Sequence, residues 1–218
     1  MSEKQLLNLI FRLAGYSYGH CLEPTERCRR KAIKATSIQD KVILEQLLEK
    51  GHLFVLKNVE KPDSWPRSGF ELVGRRKEPV IFYGLCNKHD DQLFAMIEKQ
   101  AINFDDVEHR FLFAYRSILR EMWSHEDELL KVKQTHDEAS NSEVSGQEQI
   151  AEVKMILDRT ENARNDFYPY KRIYDQIYSS RSFQDISHVR VTIPKQAPTV
   201  AASTGITWSL TETPEIKG

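Results

Sequence analysis

Cysteine is scarce in this chain: only three occur among 218 residues. The first fifteen residues also lack the apolar run and the small-residue cleavage site of a secretory signal. An odd number of cysteines without an export signal does not fit a disulfide framework. We therefore expect reduced thiols and a cytoplasmic location.

Long hydrophobic runs and a net charge of one sign are missing as well. No stretch reaches the roughly 18 to 20 apolar residues that a membrane-spanning helix needs, so we expect no membrane partner. The 31 basic residues nearly cancel the 32 acidic ones, which leaves only local charged patches for binding nucleic acid. With 40% apolar residues, the chain can bury a substantial core.

Three regions differ in their hydrophobic pattern. Residues 1–100 mix short helical and strand signals, residues 101–182 are helical, and residues 183–218 carry the alternation of a strand pair. This order predicts an α+β fold whose middle part is a long antiparallel helical hairpin. Because two strands alone are marginally stable, we expect them to pack on the helices or the chain to continue after Gly218.

The first region is predicted to contain short elements. The pattern indicates a helix at Asp40–Lys50, a strand at 52–56, a loop at 60–69 and strands at 70–73 and 80–83. We expect the last two strands to form a hairpin across a basic turn. A further helix should begin near Lys88 or His89.

The helical region is predicted to hold two long helices. Asn103 with Asp106 is expected to cap the start of the first, which weakens near Lys133, and the polar stretch 135–147 indicates a break. The second carries apolar residues from Ile150 to Tyr178, with Pro169 expected to kink or end it.

The cysteines share one pattern with a histidine. Cys21 and Cys28 are followed by Cys86 and His89 in a Cys-x2-His spacing at a predicted helix start. Three thiols and one imidazole are enough to close a tetrahedral structural zinc site. His20 is an alternative fourth ligand, but its spacing is less favourable. The sequence therefore predicts a zinc-stabilised module.

Two segments resemble a known superfamily. The run Ala35-Thr36-Ser37-Ile38-Gln39, followed by Gly84-Leu85-Cys86-Asn87-Lys88-His89-Asp90, is similar to the HNH, or treble-clef ββα-metal, nucleases. It is most similar to a branch of uncharacterised bacterial proteins. The resemblance implies a treble-clef zinc module in a protein that acts on or binds nucleic acid, such as a nuclease component of bacterial defence or a toxin.

The resemblance also sets an expectation for catalysis. In that superfamily a histidine activates the attacking water, and Thr36 occupies its position here, where a threonine cannot act as a general base. A second ion, Mg²⁺ or Mn²⁺, assists the reaction. His52 and Asp90 are the candidate catalytic residues. The alternative is a catalytically inactive zinc-stabilised module whose long helices bind a protein partner or a second copy.

Basic residues form two local groups. They are Arg29, Arg30, Lys31 and Lys34 beside the cysteines, and Arg75 and Arg76 in the predicted turn. Such groups can contact phosphates of DNA or RNA. A solvated charged face is an equally good interpretation of the sequence.

Overall fold

The computed structural model describes residues 17–36, 50–59, 67–74, 81–101, 103–141 and 146–189. In chain order the strands and helices are β1 (Ala35–Thr36), β2 (His52–Val59), β3 (Arg67–Gly74), β4 (Ile81–Phe82), α1 (Asn87–Lys99), α2 (Val107–Ser140) and α3 (Gln147–Ser180). A short 3₁₀ helix at Phe183–Asp185 follows. The predicted mixed α and β class is confirmed, as a helix-rich fold with two small antiparallel strand pairs.

The strand pairing differs from the prediction. β3 pairs with β2, with Leu56 opposite Phe70, whereas β4 pairs with β1, with Thr36 opposite Ile81. The predicted hairpin between 70–73 and 80–83 is therefore wrong, and β3 also takes in the last residues of the predicted loop at 60–69. Neighbouring apolar runs predict strands, but the partner of each strand depends on register and distant contacts.

The two long helices form the predicted hairpin. Asp106 caps α2 as expected, because its carboxylate accepts hydrogen bonds from the backbone N–H groups of Glu108 and His109. The two helices separate within the predicted stretch 135–147, but later than expected, since α2 continues to Ser140 and α3 begins at Gln147. Thr135 is fully buried, and its hydroxyl donates to the carbonyl of Lys131 within the helix. The packing that buries this part of α2 thus favours a helix, although the polar composition of the stretch is typical of loops.

Pro169 lies inside α3 and does not end it. The residue is exposed, and so is Asn165, whose carbonyl has no N–H partner at the proline. Because that carbonyl belongs to the solvent-facing side, water can satisfy it and the helix continues to Ser180.

The core lies where α1 packs on the paired helices. Leu93, Phe94 and Ile97 of α1 are buried together with Phe111 and Leu119 of α2. A group of aromatic rings in mutual contact extends this core toward α3 and the 3₁₀ helix; it consists of Phe111, Tyr115, Tyr174, Tyr178 and Phe183. The same core reaches Cys21 and Cys86, so the cysteines are anchored to the helical hairpin.

Several predictions of the sequence fall outside the described residues. These are nearly all of the helix at Asp40–Lys50, the basic turn with Arg75 and Arg76, and the strand pair after residue 189. The division of the chain into three regions, with boundaries at residues 100 and 182, stays a prediction. No helix in the described ranges is both long and apolar enough to cross a bilayer.

Candidate metal centre

The four predicted ligands meet in space. The ligand atoms of Cys21, Cys28, Cys86 and His89, hereafter the thiol–imidazole cluster, all lie within 4.8 Å of one another. The Sγ atoms of Cys28 and Cys86 are 3.9 Å apart, too far for a disulfide, and all three cysteines are free. Within the described ranges this is the one group of three or more such side chains that could hold a metal ion. His20 is exposed and does not belong to it.

Backbone hydrogen bonds bring the two halves of the cluster together. The N–H of Leu22 donates to the carbonyl of Gly84 at 2.7 Å, and the N–H of Ile33 donates to the carbonyl of Leu85 at 2.7 Å. The N–H of Cys86 then donates to the Cys21 sulfur at 3.2 Å. Residues 84–86 therefore lie beside residues 21–22 and 33, which places Cys21 and Cys28 next to Cys86 and His89.

The start of α1 positions the second pair. Cys86 is the N-cap of this helix, and His89 lies in its first turn with its Nδ1 3.5 Å from the Cys86 sulfur. The same nitrogen is 3.3 Å from the Cys21 sulfur. The Cys-x2-His spacing thus turns both side chains toward one point, as the sequence predicts.

The protein's own groups shift the pKa values of the Cys21 and Cys86 thiols in opposite directions. Burial raises the pKa of the Cys21 thiol to about 12. Burial also acts to raise the pKa of Cys86, but the backbone N–H groups at the start of α1 and the neighbouring cysteines lower it below the ordinary value. A bound divalent cation would add the positive charge that favours the thiolate at all three sulfurs.

The loop between the first two cysteines is organised by Glu23, a residue that the sequence analysis missed. Its side chain is buried, and its carboxylate accepts hydrogen bonds from Thr25 N at 2.8 Å, Arg27 N at 2.8 Å and Cys28 N at 3.1 Å. Burial alone would raise the pKa of Glu23, but these donors lower it. Three backbone donors around one carboxylate hold residues 21–28, the cysteine loop, in the conformation that presents both thiols.

Replacing Glu23 by glutamine is expected to weaken the cysteine loop. The amide nitrogen would face a backbone N–H, so we expect a loss of about 1–3 kcal/mol in the free energy of unfolding. Metal affinity should fall about 10- to 100-fold, because the loop that positions Cys21 and Cys28 loses one of its backbone hydrogen bonds and the negative charge that attracts the others. Chemical denaturation and metal competition with a chromophoric chelator measure the two effects. Glu128→Gln, at an exposed position of α2, is the control; equal effects of both variants would contradict this role.

A buried ionic network joins the cysteine loop to the helices. Lys171 of α3 is fully buried, and its Nζ lies 2.8 Å from Asp175 Oδ2 and 3.2 Å from Glu26 Oε1 of the loop. Tyr115 of α2 donates to the other oxygen of Asp175 at 2.6 Å, and Tyr168 donates to Glu26 at 2.7 Å. Lys171 therefore connects the loop to α3, and Asp175 extends the network to Tyr115 of α2.

Glu26 holds an unusual backbone conformation in this network. Its φ of 56° lies in the left-handed region, where glycine is favoured over other residues. The contacts of its carboxylate with Lys171 and Tyr168 offset that cost.

The two candidate catalytic residues are not brought together. His52 is exposed at the start of β2, and its Nδ1 donates to the carbonyl of Lys50 at 2.9 Å. Asp90 lies half-buried in the first turn of α1, where burial raises the pKa of its carboxyl and the nearby Arg116 guanidinium partly offsets the rise. No hydrogen bond or ion pair between described residues joins His52 to Asp90.

Arg116 takes its partners from α1. Its Nη2 donates to Glu98 Oε1 at 2.5 Å, and its guanidinium lies 4.2 Å from the centre of the Phe94 ring. This nearly fully buried side chain therefore ties α1 to α2.

The basic residues beside the cysteines are accessible. The stretch 27–34, hereafter the basic segment, carries five exposed cations, namely Arg27, Arg29, Arg30, Lys31 and Lys34. None of the five forms an ion pair with another described residue. No acidic residue occurs from position 27 to position 36, so the positive charge is not neutralised locally.

Comparison with protein-family models, curated proteins and solved structures found no match for this chain. The class of this protein therefore follows from its own geometry: a helix-rich α and β fold with a partly buried group of three thiols and one imidazole that could hold a metal ion.

Proposed function

We propose that this protein is a zinc-stabilised, HNH-like protein that binds nucleic acid through the basic segment. The observation that carries the proposal is the position beside the thiol–imidazole cluster of five exposed cations that form no ion pair with another described residue. In this proposal the ion is structural, and it fixes the shape of the surface that contacts phosphate.

The donor set and its dimensions favour zinc. A tetrahedral zinc ion with bonds of about 2.3 Å to sulfur and about 2.0 Å to nitrogen separates two sulfurs by about 3.8 Å and a sulfur from a nitrogen by about 3.5 Å. The distances of 3.9 Å between Cys28 and Cys86 and of 3.3 and 3.5 Å to His89 are close to those values. Soft thiolates with one imidazole suit zinc better than magnesium or calcium.

The charge distribution favours nucleic acid as the partner. The whole chain has a net charge of −1, so its positive charge is useful to a polyanion only where it is concentrated. The basic segment supplies such a concentration, and the carboxylate that precedes it in sequence, Glu26, is already engaged by Lys171 and Tyr168. Phosphate contacts of this kind give affinity with little sequence preference.

A charge-removal variant tests the binding surface. We expect Arg29→Ala, Arg30→Ala and Lys31→Ala together to weaken binding of a labelled oligonucleotide at least tenfold at low salt. The slope of log affinity against log salt should fall by about 2 to 3, because each lost phosphate contact releases one counterion fewer. Fluorescence anisotropy over a salt series measures both quantities.

The matched control removes the same charge elsewhere. Lys133→Ala, Lys154→Ala and Arg159→Ala change exposed cations on the two long helices. Affinity and salt slope should remain close to those of the unaltered protein. The proposal is contradicted if the two triple variants lose affinity equally, or if the unaltered, metal-loaded protein binds neither DNA nor RNA.

Cleavage of nucleic acid stays a prediction that depends on the resemblance to the HNH nucleases. The superfamily's general base is replaced by Thr36, which lies in β1 opposite Ile81. Metal-dependent cleavage with Mg²⁺ or Mn²⁺ should be lost in His52→Ala or Asp90→Ala. Binding through the basic segment does not require this activity.

The alternative of a protein-interaction module also stays a prediction. On α3 the exposed apolar residues Met155 and Ile173 lie five turns apart on one face, with the exposed, polar Asp158, Asn162 and Asp166 between them. That spacing does not form the continuous apolar stripe of a helix–helix interface.

A further inference from the structure

A cavity of about 290 Å³ lies between the cysteine loop and the α2–α3 hairpin. His20, Cys21 and Arg29 line it from the loop side, and Glu126 and Tyr168 line it from the helices. Small-molecule sites span about 300–1,000 Å³, so this cavity is at the lower end of their range. It has room for one ring system and not for an extended chain.

The walls of the cavity combine aromatic rings with paired charges. Tyr18 and Tyr168 both line it, and the guanidinium of Arg164 lies 4.6 Å from the centre of the Tyr168 ring. Arg164 donates twice to Glu126 Oε1, at 2.8 and 2.6 Å. The lining therefore combines two aromatic rings with polar donors and acceptors, and one face of the Tyr168 ring is covered by Arg164.

The charge balance of the walls argues against a bare phosphate as the occupant. Lys171 is engaged by Glu26 and Asp175, and Arg164 is engaged by Glu126. The remaining cation, Arg29, is exposed. A neutral heteroaromatic ring whose edges carry both donors and acceptors matches this lining, and a nucleobase is such a ring.

The cavity opens beside the basic segment. Arg29 belongs to both, and His20 in the cavity wall forms an isolated antiparallel bridge with Lys31 of the segment. A strand whose phosphates contact the basic segment would thus present its bases next to the opening.

We propose that this cavity receives one unpaired base of a nucleic-acid strand whose phosphates lie on the basic segment, so that the protein prefers single strands to duplexes. The inference rests on the proposed function, because it assigns the substrate class to the same surface. A base within a duplex can enter only after it is unstacked and unpaired, which costs a few kcal/mol. A base in a single strand avoids most of that cost.

Nucleic-acid strands with and without bases separate the contribution of base binding from that of phosphate binding. Anisotropy of the metal-loaded full chain is measured with a short single-stranded DNA, the RNA of the same sequence, the DNA duplex, and a single strand of the same length made of abasic sites. We expect the intact single strands to bind about five- to hundredfold more tightly than the abasic strand, which has the same phosphates. The duplex should bind like the abasic strand, and the tighter of DNA and RNA identifies the preferred sugar.

Substitutions at Tyr168 locate the base. Tyr168→Leu removes the ring and should reduce the ratio of intact to abasic affinity toward one, whereas Tyr168→Phe retains the ring and should preserve the ratio. The comparison of strands on the unaltered protein decides the inference even if a variant fails to fold. Equal binding of intact and abasic strands would overturn the base site and leave phosphate binding in place. Absence of binding to every strand would overturn the proposed function as well.

Discussion

Replacing Cys86 by serine is expected to abolish stoichiometric zinc binding and to lower the melting temperature by at least about 10 °C, since a chain of this size loses about 2–4 °C per kcal/mol. A structural zinc site contributes about 10–16 kcal/mol of binding free energy, which equals or exceeds the whole stability of an ordinary domain. Cys86 is buried, caps α1 and receives contacts from both Cys28 and His89. Its loss therefore removes a ligand at the centre of the cluster.

Metal content and thermal unfolding measure this effect together. The unaltered protein, purified without added zinc, should contain close to one zinc per chain, and a strong chelator should reproduce the instability of the variant. His20→Ala is the matched control, because His20 neighbours Cys21 in sequence but is exposed and outside the cluster. Cys86→Ser protein that retained a full complement of zinc would show that the cluster is not the metal site.

Replacing Lys171 by methionine is expected to cost about 3 kcal/mol in the free energy of unfolding, because it removes the closest cation of a buried carboxylate. The side chains of Lys171 and Asp175 are 0% and 3% exposed, so water does not readily replace the lost cation. Asp175 would retain the Tyr115 hydroxyl as its donor and the more distant, exposed guanidinium of Arg172 at 3.8 Å. Glu26 would lose its ion pair with Lys171.

A pair with the same spacing on the same helix provides the control. Lys154 and Asp158 are also four residues apart on α3, but both side chains are about half exposed. Lys154→Met should therefore cost less than about 1 kcal/mol. The double variant Lys171→Met with Asp175→Leu should cost less than the sum of the single changes, since no buried charge is left unpaired. Equal costs of Lys171→Met and Lys154→Met would contradict the ionic network.

The members of the thiol–imidazole cluster could be predicted from the sequence because metal coordination restricts residue type and local spacing. Cys86 and His89 converge across one helical turn, and that geometry follows from their separation along the chain. The long helices were predictable for a similar reason, since Phe111, Tyr115, Ile118 and Met122 repeat at helical steps and are all buried. The identity of the bound ion stays a prediction.

The residues that support the cluster were not predictable in this way. Nothing in the sequence distinguishes Glu23 from an exposed glutamate. Only in the folded structure do the backbone N–H groups of Thr25, Arg27 and Cys28 surround its carboxylate. Lys171 and Asp175 resemble an ordinary exposed i,i+4 pair, and only the packing of the cysteine loop on α3 buries them. The sequence did contain one indication of their burial. Lys171 and Asp175 follow Phe167 at steps of four residues, so they lie on the same face of α3 as this buried ring.

The sequence by itself determined the candidate ligands, the helical hairpin and the local concentration of positive charge, because each depends on residue type and short-range periodicity. The tertiary structure decided the partner of each strand, the continuation of α2 through a polar stretch and the burial of Lys171. It also created the cavity beside the basic segment, and it left His52 apart from Asp90. These features depend on contacts between residues far apart in the chain. Such contacts stabilise the protein only when folding brings the distant surfaces together and removes water from between them.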